Sequence, residues 1–286
     1  MKKSFNKVYF LVTIPAVIIF FILHTYPLLQ GVFYSFTDWK GYGDFEIVGL
    51  KNYFNVFKDY RVGHAYLFTI GFAIVSTVIT NIISLALAIG LNSKIAFKKA
   101  LRGIYFLPYI LGTLVIGYIF NFIFSYYLPI IGKNLGIALL ANNILGNPDS
   151  AWIGIVIVAV WQSTAFNTIL YLSGLVTIDP DLYEAADIDG ATPWTKFKEI
   201  TFPLIAPFFM INVVVSMKNY LMVFDQIVAL TGGGPGTSTE SISLLIYKGG
   251  FSAGEFAYQS ANAVIFFIIV VAISLFQIKV LEKRND

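Results

Sequence analysis

Long apolar runs alternate with shorter polar segments along the 286-residue chain, and this pattern predicts six membrane-spanning helices. Each run is 20 or more residues long, which is enough for a helix to cross the hydrocarbon layer. The predicted spans are residues 8–36, 66–91, 103–124, 151–178, 203–230 and 261–280. The expected fold class is therefore an all-α membrane protein, with a single domain over residues 1–286.

Composition supports a bilayer protein and excludes several kinds of site. The chain is 57% hydrophobic and 12% charged, whereas soluble domains are about a quarter charged. It has no cysteine, so neither a disulfide nor a thiolate metal site can form. With His24 and His64 as its two histidines, we expect no metal centre. A net charge of +3, spread along the chain, does not indicate a nucleic-acid partner.

Basic residues predict the orientation of the chain in the membrane. Six spans place both termini on one side. Segments 1–7, 92–102, 179–202 and 279–286 lie on that side and carry twelve Lys and Arg residues, against six on the opposite side. Lys218 lies within a predicted span. Because cytoplasmic loops carry the excess of basic residues, we predict that both termini and the 179–202 segment are cytoplasmic.

The segment 179–202, between the fourth and fifth spans, is charged and rich in turn residues. It predicts two short helices with a sharp corner between them, here called the elbow. Asp179 can cap the first helix and Pro180 suits its first position, where a missing N–H is no loss. Gly190 can adopt the left-handed conformation that ends a helix. Thr192, followed by another proline, repeats the cap. The elbow is suited to docking of another protein, although an ordinary surface loop has the same local chemistry.

The elbow also carries a recognisable spacing. From Glu184 the sequence is EAA, three residues, Gly190, nine residues, Ile200, two residues and Pro203. This resembles the EAA loop of permease subunits in binding-protein-dependent ABC importers, with Phe202 where the pattern more often has Leu. Further stretches resemble the sugar-uptake branch of that family, to which the maltose-transporter inner-membrane subunits belong. These stretches are residues 34–39, 48–53, 102–108, 161–162 and 230–235.

The resemblance implies one permease subunit of an ATP-driven carbohydrate importer in the bacterial cell membrane, with the elbow as its coupling helix. Glu184 would anchor the elbow on a cytoplasmic ATPase, Ala185 and Ala186 would permit close approach, Gly190 would set the corner, and Asp187 would belong to the same docking surface. The implied partners are a second homologous permease, a P-loop ATPase dimer, an extracytoplasmic sugar-binding protein and membrane lipid. The chain contains no GxxxxGK[ST] sequence, so we expect ATP and Mg²⁺ on the partner ATPase and no cofactor on this chain.

Polar side chains inside spans four and five predict the substrate path. Asn212, Asn219 and Gln226 recur every seven residues and are expected to form one stripe, flanked by Lys218 and Asp225. Span four adds Trp161, Gln162, Ser163, Asn167 and Tyr171. Their amides and hydroxyls suit hydrogen bonding to a sugar, and their aromatic rings can stack on it. The alternative is that such residues hold the helices together. Lys218 suits an anionic group of a solute or a carboxylate on the partner permease.

Three other classes of protein are less favoured. An ion-coupled secondary transporter would carry ionisable residues in several spans and an inverted repeat. An intramembrane enzyme would need a nucleophile–base pair or metal ligands at membrane depth, and no such motif is present, so no catalytic residue is expected. A structural scaffold would leave the polar stripes without a role. The sequence leaves open the choice between a sugar and another polar solute such as glycerol-phosphate, and between a homodimer and the heterodimer usual in the family.

Overall fold

The structure is a computed structural model that describes residues 2–93, 97–137 and 140–282. Within these residues there is no β-strand, and one antiparallel bridge joins Thr37 to Ile47. The helices are α1 (Lys2–Phe20), α2 (Tyr26–Tyr34), α3 (Lys51–Lys58), α4 (Tyr60–Asn92), α5 (Lys98–Ile110), α6 (Thr113–Phe122), α7 (Leu128–Leu135), α8 (Ala151–Val176), α9 (Pro180–Ile188), α10 (Pro193–Lys196), α11 (Phe202–Leu221), α12 (Asp225–Leu230), α13 (Ile242–Tyr247) and α14 (Phe256–Glu282).

Six of the described helical segments are long and apolar enough to span a membrane. Short π-helical stretches join α1 to α2, α6 to α7 and α10 to α11, so that each pair forms one continuous helix. The six segments are Phe10–Tyr34, Tyr60–Asn92, Thr113–Leu135, Ala151–Val176, Pro193–Leu221 and Phe256–Val280. The prediction of an all-α membrane protein with six spans is confirmed.

The third span differs from its predicted bounds because the helix is interrupted. Helix α5 ends at Ile110, and α6 begins at Thr113. Leu111 and Gly112 between them are extended, with ψ of 139° and 132°. The prediction of one continuous helix over 103–124 is therefore wrong, and the segment long enough to cross the membrane begins after the break.

The fifth span is displaced toward the N-terminus relative to its prediction of 203–230. Helix α11 ends at Leu221, and the next helix, α12, begins at Asp225 after a short non-helical stretch. At its other end, α11 continues back through a π-helical turn into Pro193. The second short helix of the elbow is therefore the first part of the spanning helix and not a separate element.

The segments between spans contain more structure than the hydropathy pattern indicated. The polar segment after span one holds α3, and the glycine-rich segment before span six holds α13. Spans two and six begin earlier than predicted, at Tyr60 and Phe256. The added turns carry tyrosine, histidine and glutamine, which lowered the local hydropathy without preventing helix formation.

The contacts divide the chain into two compact units. The first comprises residues up to Gly63 together with Leu245–Ile269, and the second comprises His64–Leu244 together with residues from Val270 onward. Within the first unit, the buried amide of Asn52 donates hydrogen bonds to the carbonyls of Ser35 and Thr37, at 2.9 and 2.7 Å. The expectation of a single permease domain over the whole chain stays a prediction.

The core of the second unit lies where α4, α8 and α11 meet on the elbow side. It is built from buried apolar side chains of these helices and their ends, around a fully buried tyrosine. Its members are Ala88, Leu91, Tyr171, Leu172, Leu175, Ile178 and Ile205. Gly174 permits the close packing of α8 on α11, since a β-carbon there would lie 2.6 Å from the ring of Phe208.

Candidate functional site

The elbow has the local geometry that its sequence predicts. The side chain of Asp179 accepts a hydrogen bond from the backbone N–H of Asp181 at 3.0 Å, and Pro180 occupies the first position of α9. Gly190 follows the end of α9 with φ of +74°, in the left-handed region. Thr192 then accepts from the N–H of Thr195 at 3.2 Å and caps α10. Both caps and the glycine corner are confirmed.

Two side-chain contacts hold the corner of the elbow closed. The Lys196 ammonium forms an ion pair with the Asp187 carboxylate, which joins α10 to α9. The hydroxyls of Tyr183 and Thr201 lie 2.9 Å apart. Asp187, which the resemblance implies is part of the docking surface, therefore also stabilises the corner between α9 and α10.

The elbow is attached to the core of the second unit. Tyr183, from α9, and Ile200, from the π-helical turn before α11, both pack against the buried cluster. This cluster contains residues of α4, α8 and α11. The elbow therefore packs against a cluster to which three spans contribute.

The outer surface of the elbow combines exposed polar and apolar groups. Glu184, Ala185 and Gly190 are exposed, and Ala186 is half-buried. Two large apolar side chains are also exposed, Ile188 at 88% and Trp194 at 69%. Neither residue is part of the EAA spacing that carries the family resemblance. The available signal was the presence of a branched aliphatic and a tryptophan in an otherwise charged segment.

Several of the predicted path residues belong to a hydrogen-bonded layer between α4, α8 and α11. The Tyr171 hydroxyl donates to Asn81 Oδ1 at 2.7 Å, and both side chains are buried. Ser216 donates to Asn167 Oδ1 at 3.0 Å, while the Asn167 amide donates to the carbonyl of Ser163 at 2.8 Å. In this structure these side chains link helices, as polar residues of membrane bundles commonly do.

Helix α4 supplies partners that the sequence reasoning missed. Thr77, Thr80, Asn81 and Ser84 are all buried. The Thr80 hydroxyl lies 2.6 Å from the Tyr220 hydroxyl, and Ser84 donates to the carbonyl of Thr164. These residues recur at steps of three and four, so their helical spacing was a usable signal in the sequence.

Gln162 bridges α8 to the interruption in span three. Its amide nitrogen donates to the carbonyl of Leu111 at 3.2 Å and lies 3.3 Å from the Thr113 hydroxyl. The break exposes backbone groups that a continuous helix would satisfy internally, and at membrane depth such groups need a partner. Gln162 is thus a structural support for the break.

The predicted stripe on span five does not form as one surface. Asn212 is fully buried, and neither polar atom of its side chain has a hydrogen-bond partner among the described residues. Asn219 is exposed, and Gln226 lies on α12, beyond the break. The expectation of a continuous Asn212–Asn219–Gln226 stripe is therefore wrong.

The exposed members of the predicted path form a smaller polar set. Lys218, Asn219 and Asp225 are exposed around the end of α11, and the Lys218 ammonium lies 3.4 Å from Asn219 Oδ1. Trp161 is 43% exposed, and its ring packs near Phe120 with centroids 5.2 Å apart. Ser163 and Gln226 are half-buried. The ammonium, amide and carboxylate groups of this set are thus exposed in the single chain.

Comparisons with known proteins relate this arrangement to transport. The family described as binding-protein-dependent transport system inner membrane component matches residues 80–286. The chain is 36% identical over 277 residues to the probable starch degradation products transport system permease protein AmyD of Thermoanaerobacterium thermosulfurigenes, covering 97% of this chain and 94% of the relative. It is also 36% identical over 284 residues to the multiple sugar-binding transport system permease protein MsmF of Streptococcus mutans, covering 99% and 97%.

A solved structure has the same fold. A chain in the crystal structure of a bacterial ABC transporter involved in the import of the acidic polysaccharide alginate matches with a TM-score of 0.83 and 22% identity, over 98% of each chain. The likeness thus extends over all six spans and both sides of the elbow.

Proposed function

We propose that this chain conducts a carbohydrate. It belongs to the family of binding-protein-dependent transport system inner membrane components. It is thus a translocation subunit of such an importer in the bacterial inner membrane. The relatives named for starch degradation products and multiple sugars support this substrate class. We propose further that both termini and the elbow face the cytoplasm, as the distribution of basic residues indicates.

The packing of the elbow against the cluster that α4, α8 and α11 share is the observation that carries the proposed coupling to an ATPase. Tyr183 and Ile200 join the elbow to the buried cluster of α4, α8 and α11. In the proposed mechanism, closure of a cytoplasmic ATPase dimer pushes the elbow inward. The movement passes through these contacts into the spans and changes the side to which the path is open. Hydrolysis and release of nucleotide reset it, as alternating access requires.

The ATPase is proposed to be a separate chain that binds ATP and Mg²⁺. Glu184, Ala185 and Gly190 are exposed on the elbow and accessible to it, and the exposed side chains of Ile188 and Trp194 add an apolar centre. Docking sites commonly combine a buried apolar anchor with a polar rim.

The solute path is proposed to run past the exposed polar set Lys218, Asn219 and Asp225. Trp161 instead lines an apolar cavity between α4, α5 and α8. The path would be held in place by buried amides and hydroxyls between the helices, those of Gln162, Asn167, Tyr171 and Asn212. A second homologous permease would supply the opposite wall, and an extracytoplasmic binding protein would deliver the sugar.

Purification through a tag on this chain, from native membranes in mild detergent, tests the proposal. We expect mass spectrometry to identify a second permease with an EAA loop and an ATPase with a P-loop. We expect uptake by the reconstituted complex to require ATP and the binding protein, whose bound ligand then identifies the substrate. A chain that purifies alone and moves solute without ATP would instead support an ion-coupled secondary transporter.

A further inference from the structure

Two adjoining cavities follow the face of α8 that packs with α4 and α5. The first, of about 430 Å³, lies at the elbow-side ends of the helices and includes Leu91, Arg102 and Ser173 in its wall. The second, of about 360 Å³, lies further along α8, toward Ile157. The two cavities share Tyr105, Ala165 and Thr168. They therefore form one groove with two chemically different halves.

The elbow-side half contains a cation with unused hydrogen-bonding capacity. The Arg102 guanidinium donates one long hydrogen bond, of 3.4 Å, to the carbonyl of Leu91 near the end of α4. Its buried Nε has no hydrogen-bond partner among the described residues, and no described carboxylate forms an ion pair with it. Thr168 is 2% exposed, and its hydroxyl likewise lacks a partner in the described structure. This half therefore suits a ligand with an anionic acceptor group.

The deeper half is apolar and opens at membrane depth. Ile79, Ile83, Pro108 and Val160 contribute to its wall, and the hydroxyl of Thr164 is occupied by a hydrogen bond to the Val160 carbonyl. Ile83 and Ile157 are 40% and 48% exposed. Water would find few hydrogen-bond partners in such a groove, so an apolar chain is the more stable occupant.

We propose that this groove binds one anionic phospholipid, with its phosphate at Arg102 and an acyl chain along α8. The dimensions agree: Thr168 and Ile157 are eleven residues apart on α8, about 16 Å of helix. Half of a hydrocarbon layer of about 30 Å is about 15 Å. The sequence is basic next to the elbow-side half of the groove, with four Lys and Arg residues between positions 92 and 102, and a basic segment at a membrane surface attracts anionic lipid.

The test uses the intact importer purified through this chain, followed by lipid extraction and quantification per complex. We expect Arg102→Gln to lower the amount of retained anionic phospholipid by roughly fivefold. Arg102→Lys, which keeps a cation, should retain more lipid than Arg102→Gln. Lys133→Gln serves as the control, because Lys133 is an exposed lysine on α7. Ile83→Trp or Ile157→Trp should displace the same lipid by filling the apolar half without changing charge.

Three results would overturn the proposal. The first is unchanged lipid in both Arg102→Gln and the tryptophan variants. The second is that inorganic phosphate stabilises the delipidated complex as strongly as anionic phospholipid vesicles do. That result would indicate a simple anion site. The third is efficient cross-linking of Tyr105→Cys, the sole cysteine in that variant, to a partner permease, which would assign the groove to a subunit interface. None of these measurements depends on the transported solute.

Discussion

At the scale of single residues, burial separates side chains that the sequence presents as equivalent. The sequence predicts that both Tyr171 and Asn219 line the substrate path. Tyr171 is fully buried and bonded to Asn81, whereas Asn219 is exposed beside Lys218. The first therefore contributes to helix association, and the second is proposed to contact the solute. Their variants should have different effects.

Tyr171→Phe should destabilise the protein. It removes the 2.7 Å hydrogen bond to Asn81 and leaves a buried amide oxygen without a partner. An unsatisfied buried acceptor costs roughly 1–3 kcal/mol. Thermal unfolding in detergent should show a lower midpoint for Tyr171→Phe than for Tyr118→Phe, whose parent side chain is 60% exposed. Equal midpoints would contradict a structural role for the Tyr171 hydroxyl.

Asn219→Ala and Gln162→Ala should differ in membrane abundance. Asn219→Ala should lower uptake while the amount of protein in the membrane stays constant, because Asn219 is exposed. Gln162→Ala should lower both, because the carbonyl of Leu111 loses its donor at the helix break. Immunoblotting and uptake measured on the same membranes distinguish the two. Parallel loss of uptake and abundance in Asn219→Ala would remove Asn219 from the path.

At the scale of elements, close approaches and corners determine how helices are joined. Gly190 has φ of +74°, with no atom near the position of a β-carbon. A substitution there is therefore opposed by the backbone conformation and not by crowding. Gly174 is the reverse case, since Phe208 occupies the space that a side chain would need. The same residue type thus has two different physical roles, one at the corner of the elbow and one in α8 just before it.

Gly190→Val should uncouple ATP hydrolysis from uptake. A branched side chain in the left-handed region costs about 1–2 kcal/mol, and the corner should open to relieve it. Gly190→Asn is the matched control, because asparagine tolerates this conformation. We expect Gly190→Val and the charge reversal Glu184→Lys to lower uptake by roughly fivefold or more while hydrolysis continues. Normal uptake in both variants would exclude the elbow from the mechanism.

Gly174→Ala should destabilise the contact between α8 and α11. The added methyl would lie 2.6 Å from the Phe208 ring, and overpacking of this kind costs roughly 1–3 kcal/mol. Phe208→Leu should recover part of the loss, because it frees space opposite the new methyl. A double-mutant cycle on unfolding midpoints measures the coupling. Additive effects of the two substitutions would show that the side chains do not compete for the same space.

At the scale of the whole molecule, the exposed apolar residues of the elbow support the proposal that it is a surface for another protein. Ile188 and Trp194 are highly exposed on a segment that also carries many charges. Ile188 lies outside the spans, where large exposed apolar groups commonly mark interaction sites. Trp194 lies in the first turn of the helix that continues into span five.

Trp194→Ser should reduce the amount of ATPase that purifies with the chain. The expected effect follows from loss of an aromatic anchor, which in protein interfaces typically costs about 2 kcal/mol or more. Trp152→Ser is the matched control, since Trp152 is also exposed but lies at the opposite end of α8. The ratio of ATPase to permease in the purified complex is the readout. An unchanged ratio for Trp194→Ser together with Ile188→Ser would place the ATPase contact elsewhere.

The sequence by itself determined the features that depend on local chemistry. Hydropathy and length identified six spans because the bilayer requires each crossing segment to be long and apolar. Asp179, Gly190 and Thr192 predicted the elbow because caps and left-handed glycines act within a few residues of their own position.

Tertiary structure alone decided which polar side chains are buried and where the spans are interrupted. Helical spacing places residues on a face, but it does not say which neighbouring helix covers that face. Asn81 and Tyr171 are ninety positions apart, and their hydrogen bond exists because α4 packs on α8. The break at Leu111 is likewise stable because Gln162, from another helix, satisfies its backbone. Such contacts arise when helices assemble, and they divide the predicted polar residues between the interior and the exposed surface.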